Sequence, residues 1–292
     1  MQRESMLFSR TISKVDRPLS RVVAMLLAVP VFALLQSCAS PAHIEVDRAA
    51  GELGLHRSVE QGAAYNHVLY QPGSRSGRDK LHVYIEGDGV AWRWRRVISS
   101  DPTPRNPLML RLMSTDSANT LYVGRPCYFG LAPNPACNSD VWTYSRFSDD
   151  VVSSMARIVR RHSAPFNSIV LIGHSGGGAL ALLIAEQLNN VDAVVTVAGN
   201  LDTDKWVDHH GYTALYGSLN PAIRPSLPET VRQLHLLASE DKVIPPALVD
   251  DWIARQPSAQ RWVFEGFNHS CCWEKSWSDV LHWINGSKPD AV

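Results

Sequence analysis

Apolar positions along this chain fall into short continuous runs separated by segments of helical spacing. The runs predict strands over Asn66–Gln71, Leu81–Ile85, Thr120–Gly124, Ser168–Ile172, Ala193–Ala198, Gln233–Ala238 and Arg261–Phe264. The later runs are unbroken rather than alternating, as expected of strands covered on both faces. Between them, Asp149–Arg161 sets Val151, Val152, Met155, Ile158 and Val159 on one helical face behind a Ser148 cap. Gly177–Leu188, Ala247–Arg255 and Ser276–Ile284 are further predicted helices. Strands alternating with helices imply an α/β fold, a mostly parallel central sheet with helices on both faces. The turn-rich link Pro72-Gly73-Ser74-Arg75-Ser76-Gly77 suits a hairpin between the first two runs. No Pro/Gly/Ser linker divides the chain, so one domain is expected from residue 65 to 292. Within it, residues 201–228 are irregular, carry Trp206, His209, His210, Tyr212 and Tyr216, and are too long for a plain connection. A lid or binding insertion is expected there.

The N-terminal segment has a different pattern. Arg3, Arg10, Lys14, Arg17 and Arg21 precede the apolar stretch Val22–Leu35, which is short for a bilayer span and has the length of a signal-peptide core. Met6 is a second candidate start. The stretch runs into Leu35-Gln36-Ser37-Cys38, which resembles the lipobox of bacterial lipoproteins. That resemblance implies removal of residues 1–37, lipidation at Cys38 and, with Ala39 following rather than aspartate, an outer-membrane anchor facing the periplasm. The alternative is an ordinary cleaved signal and a soluble periplasmic product. Residues 38–64 read as a tether and edge segment. Export agrees with an even set of remaining cysteines, Cys127, Cys137, Cys271 and Cys272, for which three pairings are open. The 292 residues balance to a formal charge of zero without a block of like charges, which argues against a nucleic-acid or polyanionic partner.

Residues 173–178 read Gly-His-Ser-Gly-Gly-Gly, between the apolar run Ile169–Ile172 and the apolar helix that follows. A strand, a glycine-crowded turn and a buried helix make the setting of a nucleophile elbow, in which a strained turn lifts a serine hydroxyl above the sheet. Neither dinucleotide nor P-loop spacing is present, so phosphate binding lacks its fingerprint. Serine needs a base, and the base needs an acid. Asp241 follows the strand run Gln233–Ala238, and His269 follows Arg261–Phe264, in the order Ser, Asp, His. In Gly173-His174-Ser175-Gly176-Gly177, Asp241-Lys242-Val243-Ile244-Pro245 and Gly266-Phe267-Asn268-His269, the chain resembles the α/β-hydrolase superfamily over residues 65 to 290. The resemblance implies Ser175 as nucleophile, His269 as general base and then acid, and Asp241 as its orienter. Glu240, and more weakly Asp202 or Asp204, are alternative acids. His174 reads as elbow packing, and His209 and His210 as surface or pocket residues.

An oxyanion hole needs two N–H donors. Gly176 supplies one, and Asp88, in the loop Glu86-Gly87-Asp88-Gly89-Val90, the other. Glu86 stands where many members of the superfamily have histidine, so the acidic side chains at 86 and 88 must turn away or be hydrogen-bonded. Trp92, Trp206 and Trp273 are candidate substrate-binding aromatics, with Trp94 and Trp277 on the same loops. No cofactor and no metal are implied. The function expected is a cell-envelope serine hydrolase acting on a small-molecule or lipid carboxylic ester or thioester. The alternatives are an amidase, peptidase or acyltransferase with the same triad, or a catalytically silent binding lipoprotein.

Overall fold

The computed structural model describes residues 40–74, 79–94 and 96–286. The chain divides after Ser40, and the predicted signal segment and Cys38 lie outside the described residues. From Pro41 onward the elements are α1 (Ala42–Glu52), β1 (Leu55–Gln61), β2 (Asn66–Pro72), β3 (Lys80–Ile85), β4 (Trp92–Arg93), β5 (Val97–Ile98), α2 (Leu108–Ser114), β6 (Asn119–Val123), α3 (Asp149–Ser163), β7 (Ser168–His174), α4 (Gly176–Ala185), β8 (Val191–Val197), α5 (Thr203–His210), β9 (Arg232–Ala238), α6 (Asp250–Ala254), β10 (Ala259–Phe264) and α7 (Trp277–Ile284).

Eight strands make one sheet in the order β1-β2-β6-β3-β7-β8-β9-β10, and β4 pairs with β5 in a separate small hairpin. From β6 to β10 every pairing is parallel, while β1 and β2 are antiparallel additions at one edge. The seven predicted strands are all present. The expected hairpin between the first two is not: β6 lies between β2 and β3, and β2 pairs instead with β1. Residues 42–61, read as tether and edge, form α1 and the edge strand β1.

The burial pattern explains which elements the sequence showed. β3, β6, β7 and β9 are buried almost end to end, so their apolar runs are continuous. α3 buries one face, is capped by Ser148 Oγ on Val151 N, and sets acids in its first turn and bases in its last, which suits the helix dipole. α1 was missed because its buried stripe is Ala42, Val46 and Ala50, too small to stand out. β1 was missed because most of its positions are polar and face solvent. The predicted insertion contains the helix α5, capped by Asp202.

This topology positions a site. From β3 the chain runs outward to β6, then crosses back to β7 on the other side of β3. Ligands in open α/β sheets sit at such a reversal, outside the strands' carboxyl ends. Ile85 pairs with Gly173, so the loops leaving β3 and β7 emerge side by side. There α4 approaches the sheet backbone to backbone. A Cβ on Gly173 would overlap the Gly177 carbonyl, and one on Gly177 would overlap the carbonyls of Ile85 and Glu86. Gly177→Ala should therefore destabilise the fold. The helix propensity gained is about 1 kcal/mol at most, against roughly 1–3 kcal/mol for forcing a methyl into packed backbone. A urea midpoint equal to or above wild type would show that α4 is not held this closely.

Candidate active site

Ser175 occupies the tip of the β7–α4 turn with φ 53° and ψ −121°, a left-handed conformation that non-glycine residues rarely adopt. Such a residue costs on the order of 1–3 kcal/mol and persists only where its surroundings enforce it. Here Ser175 N donates to Val197 O at 2.9 Å, and Ser175 O accepts from Gly178 N at 2.9 Å and Asn200 N at 3.0 Å. Both sides of the peptide are thereby tied to the sheet and to the loop after β8.

The hydroxyl meets its partners. Ser175 Oγ lies 3.0 Å from His269 Nε2, and His269 Nδ1 lies 2.8 Å from Asp241 Oδ2. Asp241 is buried, and its other oxygen accepts from Val243 N at 2.7 Å and Ile244 N at 2.8 Å. The Asp-Lys-Val-Ile sequence thus folds back on its own carboxylate and leaves one oxygen facing the imidazole. Glu240 and Asp204 are exposed and Asp202 is occupied as the α5 cap, while the carboxylate on His269 Nδ1 is that of Asp241. Burial lowers the His269 pKa below its ordinary value; Asp241 opposes that shift and His174 adds to it. The base is therefore neutral at neutral pH, with Nδ1 directed at a carboxylate.

His174 does more than pack. Its Nε2 lies 2.9 Å from the His269 carbonyl, its Nδ1 3.6 Å from Glu86 Oε1, and its ring 4.9 Å from the His269 ring. Trp273 Nε1 also donates to the His269 carbonyl, at 3.2 Å. Trp273 is a correction to the sequence expectation: at 1% exposure it lies under the base, edge-on to Phe264 and Phe267, and cannot meet a substrate. Trp277 packs on Tyr84 in the core, and Trp94, 83% exposed, stands on the small hairpin. Trp92 and Trp206 do line a cavity of about 850 Å³ above Ser175, together with Tyr144, Tyr212 and His269. His210, in contact with the Val243 carbonyl at 2.8 Å, joins α5 to the Asp241 loop.

The loop at residues 86–90 sits beside the elbow. Glu86 is buried, with Oε2 accepting from Met109 N at 3.0 Å and Oε1 from Gly87 N at 3.3 Å. Asp88 lies against Gly176, where a Cβ would overlap its carboxylate. That carboxylate is held by Arg125 on Oδ1 and by Arg146 Nη1 on Oδ2 at 2.7 Å, while Tyr128 Oη donates to the Asp88 carbonyl at 2.9 Å. Burial alone would raise the Asp88 carboxyl, but Arg146 and then Arg125 outweigh it and bring its pKa to about 2. Asp88 is thus fixed at side chain and backbone alike, with the Gly176 N–H at the first turn of α4 beside it. A first-turn N–H has no intrahelical acceptor, and Gly176 opens α4.

Arg125, Tyr128 and Arg146 were not legible as site residues. Arg125 follows the carboxyl end of β6, a position that could have drawn notice. Arg146 lies in a stretch with no pattern at all. The cysteines form Cys127–Cys137 and Cys271–Cys272, so the late pair does not tie the two distant loops together.

No protein-family model and no curated protein matches the chain. Solved structures do. The chain is similar to the Pyrococcus furiosus esterase Pf2001, at 12% identity and a TM-score of 0.56 over 82% of this chain and 96% of that one. It is similar to a serine hydrolase without lid from Xanthomonas campestris, at 12% identity and TM-score 0.53 over 82% and 97%. It is also similar to the serine hydrolase CCSP0084 of Cycloclasticus zankles, at 16% identity and TM-score 0.53 over 80% and 99%. The fold is that of the α/β hydrolases. At these identities the likeness extends to the fold; the site rests on its own geometry.

The His269 imidazole should titrate below the ordinary value of about 6.5, followed through its ring-proton resonances. Asp241→Asn should lower it further, because the Asp241 carboxylate is the foremost of the groups that raise it. A wild-type value at or above the ordinary one, or a rise in the variant, would contradict this electrostatic account.

Proposed function

We propose that this protein is a serine hydrolase cleaving a carboxylic ester or thioester through a Ser175–His269–Asp241 triad. The observation that carries this reading is the continuous hydrogen-bonded chain from Ser175 Oγ through His269 to Asp241. In the first half-reaction Ser175 Oγ attacks the substrate carbonyl as its proton passes to His269 Nε2. The oxyanion so formed accepts from the N–H groups of Gly176 and Asp88. Collapse of the tetrahedral intermediate breaks the bond to the leaving group, which takes the proton from His269, and leaves an acyl-serine. In the second half, His269 takes a proton from water, the hydroxide adds to the acyl carbon, and Ser175 leaves with that proton restored to it. Asp241 stabilises the imidazolium in both halves without taking the proton.

Glu86, which stands where many members of the superfamily have histidine, has its carboxylate engaged by Met109 N and Gly87 N. The esterase and serine-hydrolase neighbours agree with the reading through their fold. The enzyme is further proposed to act outside the cytoplasm, tethered to the outer membrane through Cys38. The basic segment, apolar core and Leu-Gln-Ser-Cys sequence support that location, and two cysteine bridges suit an oxidising compartment.

A fluorophosphonate probe should label wild type at Ser175 at neutral pH, and Ser175→Ala should take up none. Purified, folded wild type that fails to label would sink the hydrolase reading. For the anchor, cells expressing Cys38→Ala should incorporate no radiolabelled fatty acid into the protein; undiminished incorporation would refute the lipobox.

A further inference from the structure

The cavity above Ser175 has an electrostatic asymmetry that triad chemistry does not require. Arg146 is part of its wall and only 6% exposed. Arg146 Nε donates to Thr143 O at 2.6 Å and Nη1 to Asp88 Oδ2 at 2.7 Å, but Nη2 meets no acceptor among the described residues. Its guanidinium carbon lies 5.9 Å from the centre of the Trp206 ring. Arg96 lines the same cavity from its exposed rim and carries no ion pair among the described residues.

The acids of the site answer these cations only in part. Asp88 divides its two oxygens between Arg125 and Arg146, so one carboxylate serves two buried guanidinium groups. Glu86 is engaged by Met109 N and Gly87 N, with the His174 ring beside it. Asp241 is engaged by His269, Val243 N and Ile244 N. Every carboxylate oxygen facing this region has a donor, while a guanidinium edge facing the cavity has none. Nη2 keeps access to the cavity rather than being sealed inside the protein, and a charged acceptor arriving with the substrate can make a charge-assisted hydrogen bond to it. A planar guanidinium is also the side chain best matched to carboxylate and phosphate oxygens.

We propose that Arg146, seconded by Arg96, forms a subsite for an anionic group, a carboxylate or a phosphate, on the substrate ester. The inference rests on the serine-hydrolase reading of Ser175. Trp92, Tyr144 and Trp206 line the same cavity, Trp206 nearest the guanidinium by measured contact, so the substrate is an anion joined to an apolar or aromatic body. The anionic group docks on Arg146 Nη2, beside Trp206, and the ester carbonyl reaches Ser175. Arg146 makes this charge available because Asp88, its protein partner, is already shared with Arg125.

Two matched pairs of esters test this and separate the two sources of charge. One pair is 4-nitrophenyl hydrogen adipate against 4-nitrophenyl hexanoate, with the carboxylate on the acyl side. The other is 1-hexanoylglycerol 3-phosphate against 1-hexanoylglycerol, with the phosphate on the leaving group. Wild type should favour the anionic member of at least one pair by roughly tenfold or more in kcat/KM. Arg146→Gln loosens Asp88 and should slow both members, so the readout is the ratio, which should fall by about tenfold. Arg96→Gln, which leaves Asp88 clamped, should lower the same ratio by a smaller factor. A wild type without the preference, including one that turns over neither anionic ester, overturns the subsite. So does an anionic-to-neutral ratio left unchanged by Arg146→Gln, the result expected if Arg146 only positions Asp88. Fluorophosphonate labelling run alongside distinguishes the failures: labelled Ser175 without anion preference refutes the subsite alone, and unlabelled Ser175 refutes the hydrolase reading beneath it.

Discussion

Everything in this site depends on how closely α4 can approach the sheet. The contact between Gly173 and Gly177, and between Gly177 and the end of β3, is backbone on backbone. It sets the sharpness of the turn and forces Ser175 into a left-handed conformation. It also fixes where the first N–H groups of α4 point. The strain is local and of order 1–3 kcal/mol, and the surroundings that hold it are the β7–β8 ladder, the Asn200 amide and a helix buried along its whole length. Glycine is required at 173 and 177 for space, since neither residue has a positive φ.

A second constraint is electrostatic and links parts of the chain that are distant in sequence. Asp88 from the loop after β3, Arg125 from the end of β6 and Arg146 from the segment before α3 share one buried cluster. Burying three charges is expensive unless their hydrogen bonds are made. Here most are made: Arg125 Nε is buried without a partner, and Arg146 Nη2 borders the cavity. The same cluster holds the Asp88 carboxylate against Gly176, so the loop after β3, the start of α4 and the charge of the cavity wall are tied to one arrangement. The residue at 86, which departs from the common superfamily pattern, proves compatible with it because Met109 N and Gly87 N take its carboxylate.

Much of the architecture was legible along the chain because the central strands are covered on both faces and so are apolar throughout. Ser175 and Asp241 were legible because each follows the end of such a strand, and His269 because it follows the edge strand β10 in the expected order. The hairpin expectation failed for a topological reason: local turn chemistry between β2 and β3 does not reveal that β6 inserts between them. Trp273 was misread because tryptophan serves equally as a pocket wall and as buried support, and only its depth distinguishes the two.

The sequence by itself determined the periodicities, the glycine spacing that permits the elbow, and the order of serine, aspartate and histidine. These are local properties, set by covalent geometry and by which residues can be buried. Tertiary structure alone decided which of the acids reaches His269, that His174 and Trp273 hold its carbonyl, and that Arg125 and Arg146 converge on Asp88. Those facts depend on distances between segments tens of residues apart. A charge in an irregular stretch carries no periodic signal, and its partner is chosen by the packed chain around it.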